Sequence, residues 1–155
     1  MRTPSANADP DMHELVVFRT ADQDFCVDIL SVREIRGWTR PASLPHAPSY
    51  VQGVINLRGS VLPIIDLAAR LGLPSIAAND RNVIIVTTIG TQVAGLLIEA
   101  VTEILSIPAS AIQPTPDVAS EVSRTFVRGV IASEKRLIRQ IDVAQLLPNA
   151  AGAAA

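Results

Sequence analysis

Aromatic side chains are scarce in this chain of 155 residues: one Trp, one Tyr and three Phe make up 3% of it. Grooves that hold proline-rich ligands are lined with aromatic rings, so peptide binding of that kind has too little material here. The single cysteine, Cys26, rules out an internal disulfide, and two well-separated histidines, His13 and His46, give no zinc-ligand spacing. Charge of one sign is also lacking. Thirteen basic and fifteen acidic residues leave a formal net charge of −2, without the general attraction that non-specific nucleic-acid binding relies on. Apolar runs such as Val83 to Val86 and Ala94 to Ile98 stop far short of the ~18 residues of a membrane-spanning helix, and Met1 to Asn7 lacks the apolar stretch of an export signal. The expectation is a cytosolic protein that does not insert into a membrane.

What the chain has in quantity is apolar: 48% of residues are hydrophobic and 18% are charged. Sixteen Val and sixteen Ile favour pleated structure, because branching at Cβ stiffens χ1. Residues 1–13 and 149–155 read as flexible tails, with structure from Glu14 to Pro148. Leu15 to Arg19 and Phe25 to Ile29 flank the polar turn Ala21 to Asp24, which predicts a hairpin, and Val32 to Arg36 is a further strand. Pro41, Pro45 and Pro48 impose an irregular connection, since proline donates no ladder hydrogen bond. Two more strands flank Gly59-Ser60, and Asp66 to Gly72 reads as a short capped helix.

The second half repeats this plan. Asn82 to Ile89 and Val93 to Ile98 form another predicted hairpin around Gly90-Thr91. A shift of 69 residues carries Val32-Arg33-Glu34-Ile35 onto Val101-Thr102-Glu103-Ile104. A shift of 76 carries Val51 to Ile55 onto Val127 to Ile131, and Ile65 to Ala68 onto Ile141 to Ala144. The difference places seven extra residues in the second long connection, around Pro108, Pro114 and Pro116, where the composition tolerates insertion. About five strands per copy in roughly 60 residues suit a small barrel whose edges are hidden by closure. The halves are about 14–74 and 81–148, with exchange of end strands left open.

Catalytic material is thin. His46 lies in a proline-rich loop with no nucleophile elbow near Ser43 or Ser60, Cys26 alternates with apolar strand residues, and there is no phosphate-cradling glycine loop. No cofactor or metal is expected. The features left over belong to a surface: Glu34 beside the only tryptophan, Trp38, and Arg58 in a turn, whose planar fork can pair with a carboxylate if their strands are neighbours. Twelve arginines against one lysine tilt the same way, because arginine is enriched at interfaces.

Val32-Arg33-Glu34-Ile35-Arg36-Gly37, the proline-rich loop and the segment from Val51 to Leu67, with Gly53-Val54-Ile55-Asn56-Leu57-Arg58-Gly59 and Pro63-Ile64-Ile65-Asp66-Leu67 within it, resemble the CheW family of chemotaxis coupling proteins. The resemblance runs from about Glu14 to Leu147. It implies an all-β fold of two five-stranded SH3-like barrels packed together, in agreement with the duplication. It implies an adaptor without catalytic activity, linking the cytoplasmic tips of chemoreceptors to the regulatory domain of the histidine kinase CheA, and recruited to membrane receptor arrays through these partners. Rings with other CheW-like domains are left open. Receptor-binding positions of the family fall on Val32, Glu34, Gly53, Asn56, Leu57, Arg58 and Gly59. Arg58, held by Glu34, is expected to shape a groove walled by Val32 and Leu57. Ala132-Ser133-Glu134-Lys135 stands where a second such turn would be, so one receptor-type site is expected. The competing expectation is a small β-barrel enzyme or ligand carrier with a site between the barrels, which needs a deep pocket holding titratable groups.

Overall fold

The computed structural model describes residues 11–76, 79–116, 121–134 and 136–147. Ten strands lie within them: β1 (Met12–Thr20), β2 (Gln23–Asp28), β3 (Val32–Gly37), β4 (Val51–Leu57), β5 (Ser60–Asp66), β6 (Val83–Ile89), β7 (Gln92–Ile98), β8 (Ala100–Pro108), β9 (Val127–Ser133) and β10 (Arg136–Ile141). Of two short helices, α1 (Leu67–Arg70) follows β5 and α2 (Glu121–Phe126) precedes β9. The β1–β2 turn places Ala21 and Asp22 at φ 52° and 61°, the left-handed pair that a two-residue hairpin loop uses to match strand twist. Helix α1 starts where expected, with the Asp66 carboxylate accepting from the Ala69 amide at 3.3 Å.

Some expectations shift. Strand β1 begins at Met12, which pairs with Pro108, ahead of Glu14. Asn82 precedes β6 instead of opening it, and its side chain accepts from the Asn79 amide. The second long connection, expected to be proline-rich and seven residues longer, also contains α2. Residues 1–10 and 148–155, and with them most of the expected tails, lie outside the described residues.

The strands form two five-stranded sheets, in the orders β8-β1-β2-β10-β9 and β3-β6-β7-β5-β4. Each sheet draws on both sequence halves, because the leading hairpins are exchanged. Hairpin β1–β2 pairs with β8 and, in parallel, with β10, while β6–β7 pairs with β3 and, in parallel, with β5. Neither 14–74 nor 81–148 therefore makes a sheet by itself. Each sheet also curls on itself. The chain leaving β3 returns through Ala42 to bridge Val54 of β4, and the chain leaving β8 returns through Gln113 to bridge Val130 of β9. In both cases the bridge joins the two ends of a sheet across a seam.

A glycine makes each bridge possible. A Cβ on Gly53, whose φ is 144°, would fall 2.3 Å from the Ala42 carbonyl oxygen, and one on Gly129 would fall 2.8 Å from that of Gln113.

Apolar alternation builds three cores. Ile55, Leu62, Ile64, Ile84, Val86 and Leu97 fill one sheet, and Leu15, Val17, Cys26, Ile131 and Ile138 fill the other. The opposite faces, including Val16, Phe18, Phe25, Ile65, Ile85 and Leu96, meet in a larger core between them. Burial and the nearby Asp28 charge push the Cys26 thiol up to about 12, so it is an inert filler at neutral pH. At the junction the Arg70 guanidinium lies over the Tyr50 and Phe126 rings, 4.3 and 4.7 Å from their centroids, and donates from Nε to the Leu146 carbonyl at 2.5 Å.

Candidate functional site

The segment that carries the chemistry is the seam of the second sheet. Edge strand β3 supplies Glu34, and the β4–β5 turn supplies Arg58. These strands are not hydrogen-bonded neighbours but the two ends of one sheet, brought together by its curl. Arg58 Nη2 donates to Glu34 Oε1 at 2.5 Å.

The turn is built for this reach. Arg58 and Gly59 take φ 51° and 88°, and the Asn56 Oδ1 accepts from the Gly59 amide at 2.9 Å, locking the loop. The Arg58 side chain is 69% exposed while that of Glu34 is 30% exposed, so the acid is anchored and the arginine stands out into solvent. The Arg58 hydrogen bond is the main influence holding the Glu34 carboxyl below its usual range, with Arg36 and Arg33 adding to it. Arg36 Nη1 lies 3.6 Å from Glu34 Oε2, so two arginines share one carboxylate.

The other expected site residues divide. Asn56 and Gly59 shape the turn. Gly53 seats the Ala42 bridge beneath the seam. Val32 packs against the core between the sheets, whereas Leu57 packs inside the barrel formed by the second sheet. The two are thus not walls of a single groove. Beside the turn, Val61 is 73% exposed and pairs across the hairpin with Asn56.

Two features lay beyond the sequence reading. One is the part Arg36 takes in the ion pair; strand alternation, which puts it on the Glu34 face, was the available signal. The other is an acid–arginine pair at the opposite seam, where Arg136 donates to Glu103. The shift of 69 already set Glu103 on Glu34, but Arg136 comes two residues after the position equivalent to Arg58.

Between the sheets lies a cleft of about 340 Å³ lined by Asp28, Leu30, Ser31, Thr88, Arg128 and Gln140. Its charged groups are already engaged: Asp28 caps the Leu30 amide, and Arg128 pairs with Asp142 at 3.4 Å. Among the described residues no group of His, Cys, Asp and Glu could hold a metal ion, and no helix is long and apolar enough to cross a membrane.

The family model described as CheW-like domain matches residues 14–151. A chemotaxis protein CheW of Rhizobium meliloti (strain 1021) is 52% identical over 136 residues, covering 88% of each chain. A chemotaxis protein CheW of Klebsiella aerogenes is 31% identical over 136 residues, covering 88% of this chain and 82% of its own. Among solved structures, the scaffolding protein TtCheW from Thermoanaerobacter tengcongensis superposes with a TM-score of 0.82 at 30% identity, covering 93% of both chains.

Proposed function

The chain belongs to the CheW-like domain family, whose members are scaffolding adaptors and not enzymes, and on that premise we propose that it couples the cytoplasmic tips of chemoreceptors to the histidine kinase CheA. Its place in chemotaxis scaffolding follows from the family; the two partners and the surface each one uses are the proposal.

The observation that carries it is the Glu34–Arg58 pair across the seam, set on a turn locked by Asn56 and Gly59. An exposed ion pair between two long side chains adds little to stability, because each loses rotamer freedom and water screens the attraction. Holding such a pair out on a turn locked by the Asn56 side chain is better suited to recognition than to folding. The receptor docks at this seam, with Val61 and the β4–β5 turn against a receptor helix. The kinase takes another face. Ile104 and Leu137 of the first sheet, 57% and 45% exposed and away from this turn, offer it an apolar surface. The protein works in the cytoplasm and reaches the membrane only through its partners.

The test is co-sedimentation of the purified protein with receptor-containing membranes and CheA. Wild type is expected to sediment with receptors and to bring kinase with it. Arg58→Glu is expected to lose at least about tenfold in receptor affinity through like-charge repulsion at Glu34, with its circular dichroism spectrum unchanged. A wild-type protein that leaves both receptor binding and kinase output untouched would sink the reading.

A further inference from the structure

Charge is unevenly spread over the two seams. Arg33, Arg36 and Arg58 all act on the single carboxylate of Glu34, three cations to one anion on a chain whose overall charge is −2. The duplicated positions in the other sheet are Thr102, Leu105 and Glu134, so this excess belongs to one seam and not to the scaffold. A local positive field of this kind selects anionic partners and speeds their encounter.

The two arginines that touch Glu34 are held differently. Arg58 makes one hydrogen bond with one of its five N–H groups, and its side chain is 69% exposed. Arg36 is only 31% exposed and its Nε is buried, so its guanidinium lies closer in against the protein than that of Arg58. One arginine is free to leave the acid and the other is placed to stay.

Resting on the seam as the receptor-binding site, we infer that it accepts carboxylate side chains of the receptor: Arg58 exchanges Glu34 for a partner Asp or Glu while Arg36 keeps Glu34 neutralised. Trading one carboxylate for another costs little at an exposed site, and the fork of Arg58 can then make two parallel hydrogen bonds in an interface that excludes water. Arg36 is a positioning residue in this exchange, since without it a released Glu34 would repel the incoming acid. Arg33, on the exposed face of β3, adds to the field without taking part in the pair.

The experiment measures binding of the full chain to the soluble cytoplasmic signalling fragment of a chemoreceptor from the same organism, from about 50 to about 500 mM NaCl, a range over which screening lengths fall several-fold. Wild-type affinity is expected to fall steadily with salt. Arg58→Gln should bind about tenfold more weakly with a shallower salt dependence. Arg36→Gln should lose about three- to tenfold at low salt, Arg36→Met should lose as much, and Arg36→Lys should recover most of it; Met and Lys have stems of similar length, so such a rescue comes from charge and not from packing. Arg33→Gln, at an exposed position of β3, should flatten the salt dependence slightly and keeps the test alive if Arg36→Gln misfolds by circular dichroism. Salt-independent binding of the wild type, or Arg33→Gln and a folded Arg36→Gln both matching it, would overturn the exchange while leaving the receptor site standing. No wild-type binding at all would remove both.

Discussion

The two seams of this molecule are copies that kept their architecture and parted in their chemistry. Each is closed by a backbone bridge over a glycine, each is followed by a strand that leads into a capping aspartate, and each carries a glutamate at the same place on its edge strand. At Glu34 the partner arginine stands on the turn itself, exposed, with a second arginine behind it. At Glu103 the partner is Arg136, in the first residue of β10, and the turn position belongs to Glu134 at φ 53°. Moving the arginine off the turn turns a projecting cation into a flush pair. What closes a barrel is thus separable from what the barrel presents, and recognition rests on very few side chains.

If the bridges are equivalent, breaking them should cost comparably; the geometry says otherwise. At Gly53 an alanine meets both a carbonyl oxygen at 2.3 Å and a φ of 144°, so left-handed strain and overpacking combine, each about 1–3 kcal/mol. A loss of about 3 kcal/mol or more is expected for Gly53→Ala. Gly129→Ala meets its oxygen at 2.8 Å without a positive φ and should lose about 1–2 kcal/mol, the overpacking part alone. Urea midpoints of the two variants decide this, and equal losses would show that the seams are mechanically alike.

A smaller difference separates the capping aspartates. Asp66 is fully buried, and burial pushes its pKa up against the lowering pull of the Ala69, Ile76 and Ala68 amides. Asp142 is partly exposed and paired with the more exposed Arg128. For Asp66 the folded pKa lies above the unfolded one, so ionisation works against the fold. Stability conferred by the neutral form is present at acid pH and lost as pH rises through the ordinary carboxylate range to the raised value. Asp66→Asn keeps an acceptor for the cap and removes the charge, so its thermal midpoint should rise relative to wild type across that window. Asp142→Asn should lose no more than about 0.5 kcal/mol, as a surface pair does. A midpoint for Asp66→Asn that runs parallel to wild type at every pH would show that Asp66 is not penalised for its charge.

The repeats, the strand-turn-strand units and the Asp66 cap could be read from sequence because they depend on local periodicity and turn chemistry. The exchange of hairpins could not: β1–β2 has the same alternation whichever half it joins, and its pairing with β8 and β10 is a long-range contact that local pattern does not encode. The Glu34–Arg58 pair is readable from sequence only on the condition that its strands are neighbours, and closure of the sheet, not ladder pairing of β3 with β4, meets that condition. Val32 and Leu57 show the limit most clearly. Both are apolar and flank the motif, yet strand alternation and a register shift between Val32 and Glu34 send them to different cores. Helix α2 went unseen because six residues are too few to set up a helical period.

The smallest expected effect is also the sharpest on role. If the Glu34–Arg58 pair serves binding, Glu34→Gln should leave stability at neutral pH almost unchanged, because both groups keep access to water and screening removes most of the attraction. What difference there is must carry a definite sign. Glu34 has a folded pKa below its unfolded value, through the Arg58 hydrogen bond first and the neighbouring arginines second. Its contribution is therefore present above the unfolded pKa and lost as pH falls through that value to the depressed one. Thermal midpoints of wild type and Glu34→Gln should differ slightly at neutral pH, in favour of wild type, and converge on acidification. Receptor binding should follow another course, because acids on the partner titrate as well. A Glu34→Gln protein that melts far below wild type at neutral pH would place this pair among the elements that close the barrel, and the contrast between the two seams would then be one of degree.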